Sequence, residues 1–334
     1  MLTQTRIILN KYRRPRDLPG PAFAGRRAAA RGCAMAAAAV LAVLAGCASV
    51  APPVMVVPVP GVTAPPEPPP RPPVIGLALG GGAARGFAHV GVIQVLEEAG
   101  IRPDLLTGTS AGSLVAALYA SGMSGARLEQ VALAMEEAAF TDWTLPIFSR
   151  GVLRGDALAR FVNTTLSGRL IDAMTIPLGV VATDLHSGQG VLFRRGDTGT
   201  AVRASSAVPA VFLPVRIGER EYVDGGLVSP VPVRYARQMG AELVIAVDIS
   251  SAPEGNAANG TLEILLQTFA IMGQSINKFE LKEAEVVVRP ALDGLKAADF
   301  ATRRRAIAAG RTAMRAALPQ LRRQLEVRAR SLAP

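Results

Sequence analysis

Thr107-Gly108-Thr109-Ser110-Ala111-Gly112 contains a G-x-S-x-G pentapeptide set between an apolar run and a helix-forming run. Leu105-Leu106 reads as the end of a strand, and Ser113 to Ala120 (Ser-Leu-Val-Ala-Ala-Leu-Tyr-Ala) reads as a helix. Ser110 therefore falls on a strand-to-helix turn, the setting of a nucleophile elbow. So sharp a turn leaves no room for side chains on either flank, which accounts for Gly108 and Gly112. It also lifts the serine oxygen to a helix N-terminus, where the helix dipole favours developing negative charge.

Upstream, Val74-Ile75-Gly76-Leu77-Ala78-Leu79 is a short apolar run with the length of a buried strand, and it feeds Gly80-Gly81-Gly82-Ala83-Ala84-Arg85-Gly86. A helical pattern follows, with Val90, Ile93, Val95 and Leu96 apolar and Gln94, Glu97 and Glu98 polar, stopped by Gly100. Strand, glycine loop, helix, strand, serine turn and helix open an α/β fold on a parallel sheet. Further strands are expected at Leu178 to Thr183, Gly190 to Phe193, Leu243 to Asp248 and Val286 to Val288. Helical patterns at Asp156 to Thr164, Pro232 to Met239 and Thr261 to Glu285 lie between them. No repeat with a period of about 20 to 50 residues is visible.

The chain has 334 residues, half of them apolar, enough for a sizeable core. Its net charge of +10 suggests nucleic acid until it is located along the chain. Residues 1–46 hold eight basic residues and one acid, so +7 falls there and only +3 remains for the rest. After these arginines, the apolar run Ala34 to Ala45 ends in Leu44-Ala45-Gly46-Cys47. It is shorter than the about 20 residues a bilayer span needs, but it suits the apolar region of a secretory signal. The tetrapeptide resembles the lipobox of bacterial lipoproteins, which implies cleavage before Cys47, lipidation of that cysteine and, with Ala48 after it, the outer membrane facing the periplasm. Pro52 to Pro73 is dominated by proline, which fixes φ and removes donors. Such a spacer extends about 3.1 Å per residue and can hold a domain up to roughly 80 Å from its anchor. The expected organisation is a signal segment over 1–46, a lipid-anchored linker over 47–73, a folded domain over 74–300 and a basic helical segment over 301–334. In that last segment Pro319 is expected to break the helix, and its arginines face either water or anionic lipid.

The chemistry rests on three pieces. A dinucleotide site would need G-x-G-x-x-G, but Arg85 stands at the sixth position and Asp104 precedes the second strand instead of ending it. Alternatively the loop is an oxyanion hole, with the N–H groups of Gly81 and Gly82 left uncovered, or simply a tight turn. For the base, His186 lies in a turn-like stretch, Thr183 to Gly188, with no histidine after it, and His89 sits on the Val-rich side of a helix, where packing or hydrogen bonding suits it. That leaves a carboxylate. Asp224, in Tyr222-Val223-Asp224-Gly225-Gly226, ends a short strand, and the glycines behind it let another segment approach. A free aspartate is a weaker base than histidine by about 2 to 3 pKa units, so the site has to desolvate or position it. The two cysteines, Cys33 and Cys47, both lie near the start, so the rest of the chain holds no disulfide, and two histidines make a histidine-rich metal site a poor fit.

Together these pieces resemble the patatin-like phospholipase family. That family has a glycine-rich oxyanion loop ending in a cation and glycine, matched by Gly80, Gly81, Gly82, Arg85 and Gly86. It has a G-x-S-x-G nucleophile, matched by Ser110 between Gly108 and Gly112, and a dyad aspartate in Asp-Gly-Gly, matched by Asp224, Gly225 and Gly226. An Ala-Ser-x-x-x-Pro segment is matched by Ala204 to Pro209, and Ala182-Thr183-Asp184 also fits bacterial members. The resemblance covers about Val74 to Ser250. It implies a three-layer α/β/α sandwich on a mostly parallel sheet that cleaves lipid acyl esters through a Ser-Asp dyad without metal or cofactor. It also implies oxyanion donors from Gly81, Gly82 and Ala111, a lipid partner and no nucleic acid. A non-catalytic lipid-binding scaffold and an acyltransferase with the same serine chemistry are the alternatives.

Overall fold

The computed structural model describes residues 71–135, 151–250, 260–295 and 300–332. The expected signal segment, Cys47 and nearly all of the proline spacer lie outside the described residues. Strands are β1 Ile75–Leu79, β2 Leu105–Thr109, β3 Gly151–Leu153, β4 Leu178–Asp184, β5 Gly190–Phe193, β6 Ala210–Phe212, β7 Val215–Ile217, β8 Arg220–Asp224, β9 Leu243–Val247 and β10 Val286–Val288. Helices are α1 Phe87–Glu98, α2 Ala111–Ala120, α3 Gly125–Ala134, α4 Asp156–Thr165, α5 Thr198–Ser205, α6 Val233–Gln238, α7 Thr261–Glu280 and α8 Arg303–Ser331.

Among the described residues the main sheet runs β10-β9-β1-β2-β4-β8-β7, with β5 also paired to β4. The pairs from β10 through to β4 are parallel, while β5, β7 and β8 join antiparallel. Alternate side chains feed cores on opposite faces. Leu77, Leu79, Leu106, Ile245 and Val247 pack with α1, α2 and α8, whereas Ala78, Leu105, Val244 and Ala246 pack under α6. Covered on both sides, the central strands are apolar along most of their length, which is why β1 and β9 read as uninterrupted runs, and the threonines of β2 and β4 spend their hydroxyls on backbone carbonyls. The architecture is the expected three-layer α/β/α sandwich.

Two elements depart from expectation. The helix beginning at Thr261 ends at Glu280 and tightens into a 3-10 turn over Leu281–Glu283. Helix α8 runs unbroken through Pro319. Pro319 and Arg315 are exposed, so water can satisfy the carbonyl that a proline leaves without a donor, while Met314 and Leu321 pin the helix to the core on either side.

Candidate active site

The end of β2 and the start of α2 share only Ser110, which takes φ 53° and ψ −124°. A β-carbon on Gly112 would collide with the Leu79 carbonyl, and one on Gly108 with Gly112 and Ser113. The flanking glycines therefore let the turn press against the end of β1. The left-handed φ of Ser110 is costly for a residue with a side chain, and contacts from distant segments hold it. The Ser110 N–H donates to Ser205 Oγ at 2.9 Å, and Ser205 Oγ donates in turn to the Val181 carbonyl at 2.6 Å. The Ser110 carbonyl accepts from Ser113 Oγ at 2.6 Å, and Thr109 Oγ1 donates to the Ser229 carbonyl at 2.8 Å.

Sheet register brings Asp224 to the serine. Thr109 pairs with Val181 on β4, and the next residue, Ala182, pairs with Asp224 on β8. Ser110 and Asp224 thus stand at the same level on either side of β4. Gly225 lets the chain cross close over β4, since a β-carbon there would collide with the Val181 carbonyl. The aspartate is clamped by Asp224 N–H to the Ala207 carbonyl at 3.0 Å, Thr183 Oγ1 to the Asp224 carbonyl at 2.8 Å, and Gly226 N–H to Asp224 Oδ1 at 2.7 Å. Its other oxygen, Oδ2, is buried and makes no hydrogen bond of full geometry. The Gly226 N–H and, after it, the Ser110 hydroxyl pull the pKa of the carboxyl down. Burial outweighs both and pushes the carboxyl up to about 6.

The glycine loop needs a correction. Gly80 N–H donates to the Val247 carbonyl at 3.0 Å and Gly81 N–H to the Pro230 carbonyl at 2.9 Å, so neither amide is open to a ligand. Gly81 instead abuts the nucleophile: a β-carbon on it would lie 3.1 Å from Ser110 Cβ. The N–H groups of Gly82 and of Ala111, the first residue of α2, have no partner among the described residues. Arg85 lends no donor to the pocket through its Nε, which donates to the Gly82 carbonyl at 3.3 Å alongside its own N–H at 3.2 Å. Both bonds tie Arg85 to the loop, and burial lowers its pKa.

The histidines separate as expected. His89 is fully buried on α1, with Nε2 2.8 Å from the Gly80 carbonyl, and burial presses its pKa down to about 4. The ring is neutral and donates through Nε2–H, leaving Nδ1 buried without a partner. His186 is exposed on a turn that Asp184 Oδ1 holds by accepting the His186 and Ser187 N–H groups. Sequence reasoning missed Ser205, Ser229 and Pro230 as supports of the site. For Ser205 the signal was present in the Ala204 to Pro209 segment, but its partners lie on the Ser110 turn and β4.

Residues 77–237 match the family model described as Patatin-like phospholipase. An "uncharacterized NTE family protein" of Mycobacterium bovis is 36% identical over 191 residues, 55% of this chain and 51% of that protein. The mouse protein named patatin-like phospholipase domain-containing protein 6 is 35% identical over 189 residues, 54% of this chain and 14% of its own length. The chain spans about half the length, or less, of these curated relatives. The crystal structure of VipD from Legionella pneumophila superposes with a TM-score of 0.53 over 74% of this chain and 67% of that one, at 14% identity, a likeness of fold. The serine turn, the glycine loop and the Asp-Gly-Gly strand end all fall inside the matched residues, and this chain belongs to the patatin-like phospholipase family.

Proposed function

We propose that this protein is a lipid acyl hydrolase of phospholipase A or esterase type, working through a Ser110–Asp224 dyad. The observation that carries this reading is the sheet register that sets Asp224, its Oδ2 buried and unbonded, level with a serine held in strained geometry at a helix N-terminus on the other side of β4. Ser110 Oγ attacks the ester carbonyl carbon while its proton passes to Asp224. The carbonyl π electrons move onto oxygen, and the Gly82 and Ala111 N–H groups receive that charge, helped by the dipole of α2. Collapse of the tetrahedral intermediate expels the alcohol, which takes the proton from Asp224 and leaves an acyl-serine. Water then loses a proton to Asp224 and attacks the acyl carbon. The second collapse returns that proton to Ser110 and frees the fatty acid.

Burial does the work that a histidine does elsewhere. A carboxylate near the ordinary aspartate pKa is a poor base for an alcohol; desolvation raises Asp224 towards the operating pH and so improves it. Hydrolysis of a dissolved short-chain ester is the test. Ser110→Ala and Asp224→Asn are each expected to lower kcat/KM by roughly a thousandfold or more, and His186→Ala to leave it intact. Undiminished turnover in either of the first two ends the dyad mechanism.

A further inference from the structure

Helix α7 carries a broad apolar stripe opposite the polar side of Glu263, Gln267, Gln274 and Lys278, yet the domain covers little of that stripe. Its residues 261–266 are all exposed, and Leu262, Ile264, Leu265, Leu266, Ile271 and Met272 present between 38% and 55% of their surface. An apolar helix face of this breadth is normally set against a core or an apolar medium. Its seat is narrow and lies against the candidate site. Gly273 rests on Pro230, Glu280 Oε1 accepts Ser229 Oγ at 2.5 Å, and the Phe269 ring lies beside Gly226, two residues after Asp224. Ser229 and Pro230 are the residues whose carbonyls receive Thr109 Oγ1 and Gly81 N–H.

We propose that α7 docks the domain on a lipid surface, its first half set among the upper acyl chains, so that the Ser110 site opens towards the bilayer. This rests on the acyl hydrolase reading for its purpose but not for its physics. Two observations favour lipid over a second copy of the chain. Phe279, 72% exposed at the far end, lies 5.3 Å beneath Lys282 Nζ, with Lys278 beside it in sequence. Cations around an exposed aromatic match a phosphate layer above an apolar phase. The patch also runs on through Phe269 to the loop of Asp224. Among the described residues no helix is long and apolar enough to cross a membrane, so α7 would lie in the surface and not span it.

The full chain carrying Cys47→Ala, which removes the expected lipidation site, is sedimented with vesicles of phosphatidylcholine containing some phosphatidylglycerol. It is then assayed on that vesicle lipid and on a dissolved short-chain ester. Adding Leu262→Ser, Ile264→Ser and Leu266→Ser should weaken vesicle binding by roughly a hundredfold and vesicle hydrolysis with it, leaving dissolved-ester turnover and melting temperature in place. Unchanged vesicle binding overturns the inference. So does a dimer that the substitutions convert to monomer while vesicle binding persists, because a second copy then covers the helix. If the triple variant melts early, Lys278→Gln with Lys282→Gln decides instead: loss of the phosphatidylglycerol-dependent part of binding supports docking, and no change overturns it. A parent chain that hydrolyses neither substrate but loses vesicle binding on substitution sinks the hydrolase reading and leaves docking standing.

Discussion

At the residue scale, Asp224 has to be ionised to accept the proton of Ser110, and burial sets where that happens. With its pKa pushed up to about 6, kcat/KM on a dissolved ester should fall about tenfold per pH unit below that point and level off above it. A pH–rate profile checks this, and a limb centred near 4 would mean that the working carboxylate is solvated. Ser205 makes a second, independent prediction. Its hydroxyl ties the Ser110 N–H on one side to the Val181 carbonyl on the other. Ser205→Ala takes the acceptor from the half-buried Ser110 N–H and a donor from the buried Val181 carbonyl, at a cost of about 1 to 3 kcal/mol, and frees the serine turn to relax. Because the hydroxyl lies behind the nucleophile, steady-state kinetics should show kcat falling by about tenfold or more with KM nearly unchanged. Equal losses in soluble yield and in kcat, after correction for folded protein, would reduce Ser205 to a purely structural role.

At the scale of elements, α1 and α8 pack so closely that a β-carbon on Gly91 would collide with the Ile307 carbonyl, and one on Gly310 with the Ala88 carbonyl. Gly91→Ala should therefore destabilise the domain by about 1 to 3 kcal/mol in urea unfolding, despite the gain in helix propensity. Activity should fall as well, since α1 carries the His89 ring that holds the Gly80 carbonyl. None of this was legible in the sequence, where Gly91 is simply a weak residue in a helix. The buried strands and the serine turn could be read because local pattern dictates them: an apolar run covered on both faces, two glycines flanking a serine. Strands β3, β6 and β7, three residues each, carry no such period. Asp224 was legible through its glycines, whereas the loss of Gly81 from the oxyanion hole was not, because its amide partner Pro230 is supplied by a distant segment. Pro319 misled for the opposite reason: a local rule gives way where an exposed carbonyl can be hydrated and packing holds both ends of the helix.

For the whole molecule, two buried titrating groups pull stability in opposite directions with pH. Burial raises Asp224 from 3.8 to about 6, so the folded protein binds that proton more tightly than the unfolded chain. The resulting penalty is absent below about pH 4, grows between 4 and 6, and stands at about 3 kcal/mol above 6. Burial lowers His89 from 6.5 to about 4, so the unfolded chain binds that proton first. That group costs nothing at pH 7 and removes about 3 kcal/mol of stability as the pH falls from 6.5 to 4. Across this window the two effects nearly cancel. Asp184 and Glu242, both held down at about 2 by hydrogen bonds, lose their contributions mostly below it. Asp224→Asn should therefore melt higher than the parent at pH 7, yet lose stability steeply on acidification, because the His89 effect is then unopposed. His89→Gln should do the reverse and grow more stable relative to its own pH 7 value as the pH falls towards 4. Urea unfolding of the parent, both single variants and the double variant at several pH values between 4 and 7 measures this directly. Parallel curves for all four would show that one or both of these groups exchanges protons with solvent as freely in the folded protein as in the unfolded chain. The desolvated carboxylate that the proposed chemistry needs would then be absent.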